Sequence, residues 1–284
     1  MPNFLNVLNK ALIFITVFQL IFLIHFQLSS VGLQWQKDIG LNSLYTTSNS
    51  EERFNPNLSY LNTISKLEKY FLLEIERNKL QDRQIVYFAD NLIRDRFMHK
   101  DLIIRPKDNW VLHIFNFFTH HKNNSTYLSS LNPNYILEFD GAICNQQSLI
   151  FQHLMKISDI EYQSVLFNVP RSPKPFGHFA SAAKIDNQWI FVDTNLEPEY
   201  DYGDTQILDA LLSGDVNIFN LLYPNHKIVE LPAGSIRVDY KNKNPALFGR
   251  IFQDILYFVS WYGWVASLIC YFLINRFKKK FIEI

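Results

Sequence analysis

The sequence predicts an α+β domain carried between two membrane-spanning helices. Three observations predict it. A charge-poor apolar run stands near each end of the chain. The first half of the intervening segment repeats its apolar residues at helical spacing. After Cys144 the composition turns to short β-rich runs, two of them separated by a tight-turn pair.

Taken in order, Phe4 to Phe26 is mostly apolar, and Ala11 to Phe26 carries no formal charge unless His25 is protonated. At about 1.5 Å per residue, roughly 20 residues cross the hydrocarbon core. A membrane helix is therefore expected over residues 4–28. A cleaved signal peptide with Lys10 as its basic region is the other reading. Leu28-Ser29-Ser30-Val31-Gly32 is a poor small-x-small cleavage site, which favours a retained anchor. Residues 29–57 are rich in Ser, Thr, Asn and Gln and read as a linker, which leaves 58–246 as the folded domain. Within it, Leu61 to Lys79 places Ile64, Leu67, Tyr70, Phe71 and Ile75 on one helical face, with Asn62 or Thr63 as the cap. Arg83 to Met98 repeats the pattern, and Pro106-Lys107-Asp108-Asn109 reads as the start of a helix carrying Trp110, Ile114 and Phe117. His120 to Ser130 is a polar loop.

From Cys144 the spacing of Leu149, Ile150, Leu154 and Ile157 is again helical. Tyr162 to Val169 has strand composition. Phe179 to Ile185 and Gln188 to Val192 flank Asp186-Asn187 and read as a hairpin. Ile207 to Leu222 returns to helix, and Ile228 to Tyr240 reads as one more strand or pair, broken at Pro232-Ala233-Gly234. A second membrane helix is expected over residues 253–275, where Ile255 to Ile274 has no charge and several Trp and Tyr. The tail 276–284 opens with Arg276, Lys278, Lys279 and Lys280, a cluster that prefers the cytoplasm. With two spans, both termini are then cytoplasmic and the domain faces the periplasm or the outside. A soluble protein with an apolar terminal helix is the bland alternative.

Lys and Arg number 27, as do Asp and Glu, so there is no basic field for nucleic acid. The 2 cysteines, Cys144 and Cys270, lie in different surroundings and make no disulfide framework. No HExxH, CxxC, Walker-type loop or GxSxG occurs, so no metal, nucleotide or redox cofactor is expected.

Cys144, His178 and Asp193 are the candidate catalytic residues. A thiol attacks carbonyls as the thiolate, and a helix N-terminus favours a negative charge. Cys144 stands at such an end, where backbone N–H groups also suit a tetrahedral oxyanion. His178 would serve as base and Asp193 would orient it. Counting outward from Asp186-Asn187 pairs Ile185 with Gln188, Lys184 with Trp189 and Ala180 with Asp193. That register places Asp193 diagonal to His178 on one face of neighbouring strands. Singly, each residue has a plain reading, a helix-start Cys being most often a small buried hydrophobe. Jointly, in this register, they point to chemistry. His120-His121 reads as solvated loop, and His99, His113, His153 and His226 show no partner pattern.

Gly141-Ala-Ile-Cys144, Gly177-His178-Phe179 and Trp189-Ile-Phe-Val-Asp193 together resemble the core of the transglutaminase-like superfamily, of papain-like fold. The resemblance covers Gly141 to Pro198 and is weaker over Asn109-Trp110. The chain departs from the pattern in one extra residue between Gly and Cys, and in Thr194 where Pro is usual. Cys-Asn-Gln-Gln-Ser and the two flanking membrane segments are similar to bacterial envelope members associated with exopolysaccharide or surface-glycan loci. The resemblance implies a Cys144 nucleophile, a His178 base and an Asp193 orienter. It implies cross-linking amide transfer, amide hydrolysis or peptide–glycan processing, on a peptide, protein or glycopeptide substrate. Envelope or exopolysaccharide assembly proteins are the implied partners. Gln146, Gln147 and Trp110 are candidate substrate-binding residues, with Trp110 or Tyr135 as a candidate oxyanion donor. The rival reading is a non-catalytic binding or scaffold module of the same fold, with Pro170-Arg-Ser-Pro-Lys-Pro175 lying across its cleft.

Overall fold

The structure is a computed structural model that describes residues 2–28, 53–100, 102–119, 127–170, 175–195 and 206–282. The linker residues 29–52, loop residues 120–126 with His120-His121, residues 171–174 of the proline-rich segment and residues 196–198 of the resemblance lie outside the described residues. In chain order the elements are α1 (Pro2–Leu28), a 3-10 turn (Pro56–Leu58), α2 (Ile64–Asn78), α3 (Asp82–Arg96), β1 (Met98–His99), α4 (Trp110–Thr119), α5 (Pro133–Leu137), β2 (Gly141–Ala142) and α6 (Cys144–Ile157). There follow β3 (Tyr162–Val169), β4 (Phe176–Ile185), β5 (Gln188–Val192), α7 (Gln206–Ser213), α8 (Val216–Leu222), β6 (Ile236–Asp239) and α9 (Leu247–Ile282). The mixture of helix and antiparallel sheet is the expected α+β class.

The chain divides into two units. An anchor unit gathers Met1–Leu44, Ile103–Ser129 and Phe248–Ile284, and a site unit gathers Tyr45–Leu102 and Ser130–Leu247. In the anchor unit, α1 and α9 are both long and apolar enough to cross a membrane, over Phe4–His25 and Leu247–Lys278. Polar groups join them: Asn9 Nδ2 donates to Asn275 Oδ1 at 2.6 Å, and Ser267 Oγ donates to Gln19 Oε1 at 3.5 Å. Such bonds hold helices together where no hydrophobic drive exists.

Residues 103–119 and 127–129 group with these two helices. The reason is hydrogen bonding. Trp110 Nε1 donates to the Ser260 carbonyl at 3.0 Å, and Gln253 Nε2 donates to the Tyr127 and Ser129 carbonyls at 3.0 and 2.8 Å. Asn109 caps α4, its Oδ1 accepting from Leu112 N at 3.1 Å and from Ser260 Oγ at 2.9 Å.

The site unit is built on a four-stranded sheet in the order β5-β4-β3-β6, antiparallel throughout. Strand alternation gives it two apolar faces. Ala183, Ile185, Ile190 and Val192 pack with α2, α3 and α6. Val165, Phe167, Ala180, Ala182 and Phe191 pack with α7 and α8. Thr63 caps α2, its Oγ1 accepting from Lys66 N at 3.3 Å. The expected helix over Ile207 to Leu222 is two helices. Gly214 at φ +87° ends α7, where a Cβ would meet the Leu231 carbonyl at 2.9 Å, and Asp215 caps α8. The expected strand from Ile228 shrinks to β6. The Asn220 side chain takes both backbone groups of Ile228, at 2.8 and 2.9 Å, in place of a ladder partner.

Gly141 lies where the chain enters α6, in a short parallel pair with Met98. A Cβ there would sit 2.9 Å from the Lys100 Cβ. Gly141→Ala is therefore expected to strain the β1–β2 pair and cost about 1–3 kcal/mol. A lowered thermal midpoint of the detergent-solubilised chain is the expected result, and an unchanged midpoint would remove this steric role.

Candidate active site

Cys144 is the first residue of α6, half-buried and not in a disulfide. The helix starts there because Ile143 is extended, at φ −93° and ψ 174°, and the Gln146 side chain reaches back. Gln146 Oε1 accepts from Ile143 N at 3.1 Å, an N-terminal cap supplied by the third helical residue. The amides of the first turn lack intrahelical acceptors, as at any helix start, and the sulfur is borne among them.

His178 sits near the start of β4, opposite Phe167 of β3. The hairpin register is the one counted from the turn, with Ile185 opposite Gln188 and Ser181 opposite Val192. Asp186 and Asn187 both take positive φ, 52° and 64°, as a two-residue hairpin loop requires. One pair further along that register stand Ala180 and Asp193. His178 Nε2 and Asp193 Oδ2 are 2.7 Å apart, so the diagonal contact forms. The Cys144 sulfur acts on the same imidazole electrostatically. Since Nε2 is committed to Asp193, Nδ1 is the ring nitrogen left to face other groups. The His178–Asp193 contact is thus formed, with Cys144 close enough to influence the imidazole.

Around the imidazole lie rings. The Phe176 ring stacks on it at 5.5 Å, and Phe167 and Tyr223 present edges at 5.5 and 5.4 Å. Burial in these surroundings alone would push the imidazolium toward the neutral form. The Asp193 charge, then the Cys144 sulfur and the hydrogen bond to Asp193, outweigh it, and the His178 pKa stands well above its ordinary value.

Asp193 is 1% exposed and collects several partners. Besides His178, its Oδ2 accepts from the Tyr223 hydroxyl at 2.8 Å, and its Oδ1 accepts from Asn195 N at 3.2 Å. Arg94 of α3 donates to the Asp193 carbonyl and pairs with Asp90 at 3.0 Å, both side chains buried. Burial alone would raise the Asp193 pKa. The His178 charge and hydrogen bond, then Arg94 and the Tyr223 hydroxyl, reverse this and lower it. The two shifts act on stability in opposite senses. His178's contribution is full below about pH 6.5 and is lost as pH rises through its raised value. Asp193's contribution is full above about pH 3.9 and is lost as pH falls through its lowered value. Both are present together between those limits.

Tyr223 and Arg94 were not among the residues singled out from the sequence. Arg94 had a readable signal: it lies on the helix stripe of Leu92, Ile93 and Phe97, where a charge must find a buried partner. Tyr223 had none, being one aromatic at the end of an apolar helical run. The candidate substrate-binding residues each hydrogen-bond within the chain. Gln146 is fully buried, its Nε2 donating to the Leu102 and Ser130 carbonyls at 2.9 and 3.1 Å, so it anchors the helix start. Gln147 is 2% exposed and donates to the Ala142 carbonyl at 2.9 Å. Trp110 lies in the anchor unit with its indole N–H on Ser260, and Tyr135 packs on Phe139 at 5.2 Å among the α2–α3 core. Neither is placed by this structure as an oxyanion donor. Of the remaining histidines, His153 bonds Glu68 at 2.7 Å and His113 bonds the Ile104 carbonyl at 2.7 Å. Among the described residues no group of three or more His, Cys, Asp or Glu is placed to hold a metal ion.

No protein-family model matches the chain, and neither a curated protein nor a solved structure does.

Tyr223→Phe keeps the ring packed and removes one hydrogen bond from the Asp193 carboxylate. The expected outcome is that the acid-side loss of thermal stability begins about one pH unit higher, as befits a hydrogen bond of about 1–1.5 kcal/mol that lowers the Asp193 pKa. An unmoved acid limb would show that Tyr223 only fills space.

Proposed function

We propose that the chain is a membrane-anchored cysteine acyl-transfer enzyme with a transglutaminase-like core of papain-like fold. The observation that carries this reading is the His178 imidazole, bonded to a buried, multiply held carboxylate and electrostatically coupled to the thiol that begins α6. Groupings of a cysteine, a histidine and a carboxylate recur where a nucleophile, a base and an orienting group act as a unit.

The chemistry follows from the geometry. The thiol proton passes to His178, and the imidazolium so formed is stabilised by Asp193. The thiolate adds to the carbonyl carbon of an amide or ester, and the carbonyl oxygen takes the negative charge beside the first amides of α6. Collapse breaks the bond to the leaving amine or alcohol, which departs with the proton from His178. A thioester on Cys144 remains. Water then gives the acid and completes hydrolysis, or an amine gives a new amide and completes transfer, with His178 taking the proton of the incoming group. The aromatic rings of Phe167, Phe176 and Tyr223 keep solvent from one side of the imidazole.

The substrate class consistent with this chemistry is a peptide, protein or glycopeptide. Two membrane helices and the basic residues Arg276, Lys278, Lys279 and Lys280 support a two-pass topology with cytoplasmic termini and an extracytoplasmic site. An envelope setting, alongside surface-glycan assembly, accords with that topology.

Iodoacetamide labelling of the purified full chain at pH 6 tests the triad. The labelling rate of Cys144 is expected to fall by about tenfold or more in His178→Ala, because the imidazolium that holds the thiolate is gone. Asp193→Asn should reduce it as well. Equal rates in all three proteins would refute the enzyme reading and leave the binding-module reading in its place.

A further inference from the structure

The helix α4 carries an apolar stripe whose C-terminal end is open among the described residues. Val111, Ile114, Phe117 and Phe118 recur at the spacing of one helical stripe; Val111 and Ile114 are half-buried, and Phe117 and Phe118 are 72% and 76% exposed. Trp110, Leu112 and His113, in the first turn, are buried. A helix facing water would place polar residues on the open stripe.

The position of α4 along the membrane helices says what the stripe meets. Its N-terminal end is bonded to α9 at Ser260 and Trp261: Trp110 Nε1 donates to the Ser260 carbonyl, and Trp261 Nε1 donates to the Asp108 carbonyl at 3.0 Å. This is the stretch of α9 that carries Tyr257, Trp261, Tyr262 and Trp264, just beyond the charged residues of its N-terminal end, Arg250 and Asp254. Such a band of Trp and Tyr marks the boundary between headgroups and acyl chains. Phe22 of α1 packs on Trp110 at 5.3 Å, and Phe115 packs on Phe252 at 5.0 Å, so α4 is seated against both long helices at that level. At that level the long helices also expose apolar side chains, among them Ile21, Phe258 and Tyr262.

We infer that α4 is a third membrane contact, an interfacial helix whose Val111, Ile114, Phe117 and Phe118 lie in the headgroup–acyl boundary of the bilayer that α1 and α9 cross. Lying in the interface, and too short to span, it is of the class of helix that buries one apolar face shallowly. The inference rests on the two-span reading and is independent of the triad.

The test uses the full chain with Cys144→Ser and Cys270→Ser, a single cysteine at Phe118→Cys, and an environment-sensitive fluorophore on it. A second protein carries Phe117→Cys, and a third carries Ile269→Cys as a mid-span reference. Each is reconstituted into phosphatidylcholine vesicles and quenched either by lipids with a nitroxide high on the acyl chain or by aqueous iodide. The expected result at 118 and 117 is lipid quenching about threefold or more above iodide quenching. Strong iodide quenching at both, with the 269 probe protected, would overturn the interfacial assignment alone. Protection from both quenchers would overturn it in favour of a protein covering the stripe. Iodide quenching at 269 would overturn the two-span reading, and the inference with it.

Discussion

Burying Asp193 is the constraint on which the site unit depends. A carboxylate taken from water costs several kcal/mol unless partners replace its hydration, and here those partners come from every layer. Arg94, from α3 on the side of the sheet that packs α6, donates to the Asp193 backbone carbonyl and brings its charge to bear on the carboxylate. Tyr223 reaches it from the end of α8, on the other side. His178 reaches it from the neighbouring strand, and Asn195 from the chain just beyond. The two apolar cores on the two faces of the sheet therefore meet at one charged group at the sheet's end. A fold that misplaced either layer would leave that charge without compensation, which ties the packing of distant helices to the orientation of the imidazole.

The placement of the thiol is fixed by a second set of buried polar groups. Along α6, Gln146, Gln147, Ser148 and Gln152 are all buried, an unusual run for a helix facing a core. Each has a specific partner. Ser148 Oγ donates to the Phe179 carbonyl at 3.1 Å, and Gln152 Nε2 donates to Ser164 Oγ and Ser181 Oγ at 3.1 and 3.0 Å. An apolar interface would tolerate a slide or rotation of the helix at modest cost. A polar one does not, because each displaced amide is left unpaired in low dielectric. The polar run sets the register of α6 on the sheet, and with it the height of Cys144 beside His178.

What was legible in the sequence was what is local. The hairpin could be counted because its turn pair, Asp186-Asn187, and its period-2 flanks lie within some 15 residues, and the diagonal of His178 and Asp193 followed. The helix starting at Cys144 was legible from its apolar spacing. Non-local matters were not. The glutamines beside Cys144 look the same in sequence whether they face substrate or satisfy a loop's carbonyls; only the position of Leu102 and Ser130 decides, and the structure spends Gln146 on both. Likewise Ile228 has strand composition, yet the Asn220 side chain pre-empts its ladder partners.

The same limit explains the assignment of residues 103–129. Charge-free length read from sequence marks where α9 can lie in hydrocarbon, but α9 has 36 residues, about 54 Å of helix against a core of about 30 Å. The surplus at its N-terminal end bears Arg250, Gln253 and Asp254. There Gln253 offers two amide donors that two carbonyls, of Tyr127 and Ser129, accept, and its own carbonyl accepts from Asn109 Nδ2 at 3.1 Å. Each of these groups would otherwise be a buried polar atom without a partner. A segment that begins and ends on one helix in this way belongs energetically to that helix, whatever its distance along the chain. The anchor of this protein is thus more than a pair of tethers: it is a small folded body, with its own polar core and an apolar helix seated against it.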